Sequence, residues 1–170
     1  MYSPYSGAFF CFYYNRFVTL YTDAITAEAQ VKAYLQKRGN IVTNLTKTVV
    51  DYAEHEKSMY KYMADIRKDL IAQTDMLLAA ARKIDPVNVS DKSFTEFESL
   101  LSKFMAWSEN YPDLKLNKNF QDFMREIVAV ETNIAEARVN YNMKVNNYTT
   151  YKMKFPNFFF AWVFRFESLD

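Results

Sequence analysis

The sequence predicts an all-α protein: an antiparallel up-down four-helix bundle with long helices and an aromatic C-terminal tail. Only 2 glycines and 4 prolines occur among 170 residues, which is too few for the many turns of a sandwich, a barrel or a doubly wound sheet. Apolar side chains instead recur at alternating steps of three and four residues, the spacing of a packed helix seam. Four such runs with short connections favour an up-down bundle, and the length fits one domain with a substantial core.

The first two predicted helices meet at a glycine. Apolar residues at this spacing form a seam over residues 17–38, and the seam ends at Gly39, a residue of low helix propensity. The second helix carries the longest uninterrupted seam, over residues 45–84. It ends before Pro86, because a proline disfavours helical geometry in the residue that precedes it.

Two further helices follow a polar loop. Ser93 and Glu96 fit a capping box that opens the third helix, and the Tyr-Pro-Asp segment around Pro112 ends it. The fourth helix starts at about Lys118 and keeps an apolar seam until a Phe-Pro pair at Pro156 closes it. An aromatic tail completes the chain.

The two ends of the chain are unusually aromatic and lack acids. Phe, Tyr and Trp make up 18% of the sequence, with 9 of them in residues 1–21 and 7 in residues 155–170. No Asp or Glu occurs in residues 1–22 or 138–166. An up-down bundle places both ends at one pole, which predicts an aromatic, mildly basic surface suited to anionic lipid headgroups. The candidate membrane-proximal residues are Phe9, Phe10, Phe12, Arg16, Lys152, Lys154, Phe158, Phe159, Trp162 and Arg165.

The tail has a second interpretation of equal weight, because its aromatic side chains could instead fold back and plug the end of the bundle. The apolar stretch over residues 8–14 is likewise open to two interpretations. It is far shorter than the roughly 20 residues of a membrane-spanning helix, so it is either an aromatic helix start or the stub of an anchor. The predicted organisation is therefore an anchor stub at 1–14, a helical bundle at 15–156 and the tail at 157–170.

Composition excludes most catalytic chemistry. With 21 basic and 20 acidic residues there is no global basic field for nucleic acid. One cysteine and one histidine leave no intrachain disulfide, no Cys or His-pair metal site, and no Glu-x-x-His pairs for a di-iron bundle. No glycine-rich phosphate loop occurs, and no Ser or Cys stands in the sequence context of a catalytic nucleophile. We therefore expect no catalytic residue, no cofactor, no metal and no small-molecule substrate.

A few polar residues fall on the apolar seams. His55 and Glu56 form the only local pair that could act as a base, and a structural polar contact between helices is the favoured interpretation. Arg38 and Gln73 also occupy seam positions. Buried polar groups that satisfy one another can fix the register between helices, so the sequence predicts a structural role for them.

Several ordered motifs resemble the LemA family over nearly the full length. They are Tyr-Asn-Arg-Phe-Val at 14–18, Leu-Gln-Lys-Arg-Gly-Asn-Ile-Val-Thr-Asn-Leu at 35–45, Tyr-Ala-Glu-His-Glu at 52–56, and Tyr-Pro-Asp-Leu-Lys at 111–115. Glu-Thr-Asn-Ile-Ala-Glu-Ala-Arg at 131–138, Tyr-Asn at 141–142 and Phe-Pro-Asn at 155–157 continue the match. Each is weak alone, but their order and spacing together are specific.

The resemblance marks a set of polar residues and three departures. The polar residues that match family signatures are Arg38, Asn44, His55, Glu56, Glu131, Asn133, Arg138 and Asn142. Thr43 replaces a signature proline and Asn40 a usual acid, so we expect the connection between the first two helices to differ from the family pattern. Arg165 stands where the family often has glycine before phenylalanine.

The resemblance implies a helical bundle anchored in the bacterial inner membrane, with no established catalytic activity. The Arg-Gly-Asn stretch and the Phe-Arg-Phe-Glu ending look more like the magnetosome branch of the family, which implies a role in forming the magnetosome membrane and an anchor mostly absent from this chain. The first hypothesis is therefore a membrane-anchored structural or scaffolding module. The alternative is an adaptor that binds a partner protein along the bundle. Expected partners are the membrane surface, other membrane proteins or a second copy of the chain.

Overall fold

A computed structural model describes the backbone of residues 4–55, 91–166 and 168–169. Most of these residues are helical, and no strand occurs among them, which confirms the all-α prediction. The helices, in chain order, are α1 (Pro4–His55), α2 (Asp91–Ser108), α3 (Pro112–Leu116), α4 (Lys118–Met153) and α5 (Asn157–Val163).

The chain forms two compact units. The terminal unit consists of Met1–Val31 and Ala135–Asp170, and the central unit consists of Lys32–Ile134. Helices α1 and α4 each contribute residues to both units. In the terminal unit the two helices run antiparallel, because Phe17 packs on Tyr148 while Asp23, further along α1, pairs with Lys144, which precedes Tyr148.

The predicted end of the first helix at Gly39 is wrong, because α1 continues through this residue without a break. A glycine inside a helix costs only about 1 kcal/mol relative to alanine. The buried seam of α1 meanwhile continues beyond it through Val42, Leu45 and Val49. Thr43 also keeps the backbone N–H that a proline would lack, and its hydroxyl donates a 2.8 Å hydrogen bond to the Gly39 carbonyl. Packing and the absence of proline therefore outweigh the local glycine signal.

The first residues of the predicted second helix, up to residue 55, belong to α1. The rest of that prediction, including Gln73 and Glu56, lies outside the described residues, so the count of four helices and the up-down order stay predictions. The structure does show that α1 and α4 pack together inside the terminal unit.

The predicted boundaries of the later helices are confirmed in part. Helix α2 already includes Asp91, so Ser93 lies within the helix and the predicted cap at Ser93 is wrong. Helix α4 begins at Lys118 as predicted, with the side chain of Asn117 accepting the N–H of Phe120 at 3.2 Å. It ends at Met153, shortly before the predicted stop at the Phe155-Pro156 pair, a cis peptide in this structure.

The seams predicted for these helices supply much of the described core. Along α4 the buried positions include Phe120, Met124, Ile127, Val130, Ile134, Ala137 and Tyr148. Among the side chains of α2 that the structure describes, the buried ones are Phe97, Leu101, Phe104 and Ser108. The three-four spacing therefore identified most of these buried positions even where it misplaced a helix end.

Candidate functional site

The aromatic ends of the chain meet in the terminal unit, which confirms that part of the prediction. Phe17 of α1 is fully buried and stacks on Phe166, with ring centroids 4.9 Å apart and an interplanar angle of 19°. Tyr13 stacks on Phe160 at 4.6 Å. We call the whole group the aromatic cluster: Phe10, Tyr13, Tyr14, Phe17, Tyr148, Tyr151, Phe160, Phe164 and Phe166.

Asn157 fixes the direction in which the chain leaves α4. Its side-chain Nδ2 donates a 2.8 Å hydrogen bond to the carbonyl of Tyr151, one of the last carbonyls of α4, which have no partner within the helix. Asn157 is itself buried and is the first residue of α5. The asparagine of the Phe-Pro-Asn motif thus satisfies a helix end and starts the helix that follows, a role that the sequence reasoning did not identify.

A tight turn at Arg165 completes the cluster. The Phe166 N–H donates to the Ala161 carbonyl at 3.0 Å and the Arg165 N–H to the Trp162 carbonyl at 3.3 Å, the paired bonds of a Schellman motif. Arg165 has φ of 53°, the left-handed conformation that this motif requires. This turn directs Phe166 onto Phe17. The glycine that the resemblance places at this position is explained by that conformation.

Arg165→Gly is expected to raise the free energy of unfolding by about 0.5–1 kcal/mol. The left-handed conformation costs a residue with a Cβ about 1–2 kcal/mol, and the greater freedom of glycine in the unfolded chain offsets part of the gain. Urea denaturation measures the change. Arg165→Ala is the control, since it removes the same charge but keeps the Cβ; equal effects of the two variants would contradict the backbone explanation.

Helix α5 has one buried and one exposed aromatic face. Phe160 and Ala161 are buried against the cluster. Phe158, Phe159 and Trp162 point outward, and the Trp162 side chain is 76% exposed. One face of α5 therefore closes the core, as the plug interpretation expects, and the other face is exposed. Membrane contact by the exposed face stays a prediction.

Basic residues surround this exposed face. Lys152 lies at the end of α4 and donates a 3.0 Å hydrogen bond from Nζ to the Ser168 hydroxyl. Lys152 and Arg165 line an open groove of about 860 Å³ together with Met153, Phe158 and Trp162. Exposed side chains that extend the apolar face are Met153, Phe155, Phe158, Phe159, Trp162 and Val163. We call this set, with Lys152, Lys154 and Arg165, the α5 surface.

The N-terminal candidates are divided between two environments. Phe10 contacts Phe160 edge-on with ring centroids 5.3 Å apart, so it belongs to the aromatic cluster, although 44% of it is exposed. Phe12 and Arg16 are exposed. The side chain of Phe9 lies outside the described residues.

In the central unit, Arg38 and Glu131 form a buried ion pair. The Arg38 side chain is fully buried, and its Nη1 lies 3.3 Å and 3.4 Å from the two carboxylate oxygens of Glu131. Its guanidinium carbon lies 4.2 Å from the centroid of the Phe97 ring, a cation–π geometry. One residue each from α1, α2 and α4 therefore meets at this point, which confirms the predicted burial of Arg38 on its seam.

Burial shifts both groups of the pair toward their neutral forms. Desolvation lowers the pKa of Arg38 more than the attraction and hydrogen bonding of Glu131 raise it. Desolvation likewise raises the pKa of Glu131, and Arg38 opposes that change only in part. The pair therefore joins α1 to α4 through two charged groups that are costly to bury.

The remaining signature residues do not join this pair in the described structure. Asn44 and Asn142 are exposed, and Asn133 and Arg138 are half-buried. The side chain of His55 and the whole of Glu56 lie outside the described residues, so the predicted contact between them stays a prediction. Phe97, a buried apolar residue of α2, is a direct neighbour of Arg38.

Two properties of the described residues bear on function. None of their helices combines the length and the apolar character that a bilayer crossing requires. Within the same residues, no three side chains of His, Cys, Asp or Glu are grouped so that they could hold a metal ion.

Comparison with known proteins identifies relatives along nearly the whole chain. The model of the LemA family matches residues 27–170. Magnetosome protein MamQ of Magnetospirillum gryphiswaldense is 24% identical over 172 aligned residues, and the match covers 92% of this chain and 63% of that protein. Magnetosome proteins MamQ 1 and MamQ 2 of Paramagnetospirillum magneticum are each 23% identical with the same coverage. The chain thus spans 63% of the length of these curated relatives.

Proposed function

Because the chain belongs to the LemA family and is related to the magnetosome protein MamQ, we propose that it is a non-enzymatic structural module that acts on a membrane. The observation that carries the proposal is the α5 surface, where aromatic side chains are exposed beside lysine and arginine. Aromatic rings with basic neighbours are typical of protein surfaces that rest on anionic headgroups. The proposed site of action is the bacterial inner membrane or the magnetosome membrane, by analogy with the relatives' names.

The packing of α5 supports a surface contact of defined orientation. Its inner residue Phe160 contacts rings of α1, so the helix is fixed to the terminal unit through one face. The outer side chains are then held in place before any contact forms, which reduces the entropy lost on binding. We propose a scaffolding role on this basis, because a helical unit held against a bilayer through α5 leaves its other surfaces available to other molecules.

The chain is expected to co-sediment with vesicles that contain phosphatidylglycerol and to remain in solution with vesicles of phosphatidylcholine alone. Aromatic insertion supplies the apolar part of the affinity, and Lys152, Lys154 and Arg165 supply an electrostatic part that salt weakens. Phe158→Ser, Phe159→Ser and Trp162→Ser combined should lower the vesicle affinity at least about tenfold, since each ring loses roughly a kcal/mol or more of burial.

The matched control is Val139→Ser with Met143→Ser. Both side chains are exposed on α4 and both belong to the terminal unit, so the control removes apolar surface of the same unit away from α5. Circular dichroism establishes that each variant keeps its helices. Equal vesicle binding by the triple variant and the control would overturn the proposed lipid contact.

A further inference from the structure

A second, smaller groove lies between α1 and α4 in the terminal unit. Its volume is about 300 Å³, and its lining consists of Arg16, Leu20, Asn147, Thr150, Tyr151 and Lys154. These residues include two cations, a phenol, an amide and a hydroxyl, but no acid. The lining therefore offers hydrogen-bond donors and positive charge together, which is the chemistry of an anion site.

The Tyr151 hydroxyl is the most specific feature of this groove. It is buried and makes no hydrogen bond within the described part of the chain. The ring is held against Phe17, with centroids 4.9 Å apart, so packing fixes the position of the hydroxyl oxygen. A buried hydroxyl without a partner costs about 1–3 kcal/mol, so such a group in a native structure calls for an explanation, and a bound ion or ligand is one.

The two cations are available to the same ligand. Arg16 and Lys154 are exposed, and neither forms an ion pair with another described residue. Burial raises the pKa of the Tyr151 phenol, Tyr13 adds to that rise, and the charge of Arg16 opposes it only in part. The phenol thus keeps its proton at neutral pH and is a hydrogen-bond donor beside two positive charges.

We propose that Arg16, Tyr151 and Lys154 form a binding site for a phosphate group. The guanidinium of Arg16 would pair with two phosphate oxygens, Lys154 would supply a point charge, and the Tyr151 hydroxyl would donate to an oxygen at the base of the groove. A groove of this volume is at the small end of ligand sites and suits a phosphate monoester or diester rather than a whole nucleotide.

The inference deepens the proposed function, because a phosphate group is what an anionic phospholipid presents at the membrane surface. It rests on that function only for the source of the phosphate. Binding of soluble inorganic phosphate tests the site itself and is independent of whether the α5 surface touches a bilayer.

Tyr151→Phe gives the sharpest test. Without phosphate, this variant is expected to unfold at the same temperature as the parent chain or a higher one, because it removes a buried hydroxyl that lacks a partner. With inorganic phosphate, its affinity by isothermal titration calorimetry should fall about tenfold or more, the value of a hydrogen bond to a charged group. If Tyr151 had a purely structural role, Tyr151→Phe would instead lower the unfolding temperature and leave the phosphate affinity unchanged. That result would overturn the proposal.

The double variant Arg16→Gln with Lys154→Gln should abolish saturable phosphate binding in the same calorimetric titration. The control, Lys37→Gln with Lys47→Gln, removes the same net charge from two exposed positions of the central unit and should leave phosphate binding unchanged. Equal loss in both double variants would indicate a general charge effect, and no saturable binding by the parent chain would likewise overturn the site.

Competition identifies the source of the phosphate. If headgroups occupy the site, inorganic phosphate should displace the chain from phosphatidic acid vesicles more than a chloride salt of equal ionic strength does. Tyr151→Phe should remove this difference between the two salts. If soluble phosphate binds but does not compete with vesicles, the phosphate site stands and its headgroup source is excluded. Loss of vesicle binding in the triple α5 variant with phosphate binding intact would separate the two proposals.

Discussion

Replacing Glu131 by leucine is expected to lower the free energy of unfolding by about 3–5 kcal/mol. The substitution leaves the fully buried guanidinium of Arg38 without the carboxylate that lies 3.3 Å away. Arginine does not lose its proton at accessible pH, so the charge cannot be removed to relieve the cost. Urea denaturation followed by circular dichroism measures the loss. It should be larger at about pH 5 than at about pH 8, because the raised pKa of Glu131 stabilises the folded parent chain toward low pH and the variant lacks this group.

Replacing the other partner of the pair, Arg38→Met, is expected to lower the free energy of unfolding by less, and this loss should depend on pH. Loss of Arg38 removes the attraction and hydrogen bond that lower the pKa of Glu131, so that pKa rises further above its ordinary 4.5. A raised carboxyl pKa means that the folded state retains a proton that the unfolded chain has released, so stability falls as pH rises through the folded pKa. The penalty should therefore be largest at about pH 8 and shrink toward about pH 5.

The double variant Arg38→Met with Glu131→Leu tests whether the effects of the two single substitutions are coupled. Replacing both charges with apolar groups of similar size removes two desolvation costs at once, so its stability should lie within about 1 kcal/mol of the parent chain or above it. Losses that simply add in the double variant would contradict the account of a coupled buried pair.

Thr43→Pro is the second substitution with a large expected effect. Proline at this position removes the backbone hydrogen bond to the Gly39 carbonyl, its ring clashes with that carbonyl, and the 2.8 Å bond from the Thr43 hydroxyl is lost. We expect a loss of about 3 kcal/mol or more in unfolding free energy, with reduced ellipticity at the helical band.

Thr43→Ala is its control, because alanine loses the hydroxyl bond but keeps the N–H and favours the helix, so its effect should stay within about 1 kcal/mol. The comparison is informative because the family signature has proline where this chain has threonine. If Thr43→Pro is as stable as Thr43→Ala, α1 tolerates a bend at Gly39 and the explanation for its continuity is wrong.

The interruption predicted at Gly39 shows where local sequence signals fail. Glycine lowers helix stability at a single position by about 1 kcal/mol, whereas the seam on either side of it buries Leu35, Val42 and Leu45. Burial of a single such side chain is worth more than the glycine penalty. The helix start predicted from the capping box at Ser93 is wrong in the same way, because α2 continues through a residue at which the local sequence favours a helix end.

The partners of buried polar groups were beyond the reach of sequence periodicity. Spacing placed Arg38 on an apolar seam, and the resemblance marked Glu131, but they are 93 residues apart and only packing joins them. The same holds for the Tyr151 hydroxyl and its two neighbouring cations, since Arg16 lies on α1 and Lys154 directly follows the end of α4. Periodicity reports which face of a helix is buried and carries no information about what lies opposite.

By itself, the sequence determined that this protein is helical, which faces of its helices are buried, and that its aromatic residues are concentrated at acid-free ends. Those features follow from residue type and spacing, which act within a few turns of the chain. The tertiary structure alone decided which rings close the core and which remain exposed. That division depends on Asn157 and on the left-handed turn at Arg165, which orient α5 against α1. A tail of identical composition could bury any of its rings, and only the geometry of its two turns selects Phe160 and Phe166 for the aromatic cluster and leaves Trp162 outside it.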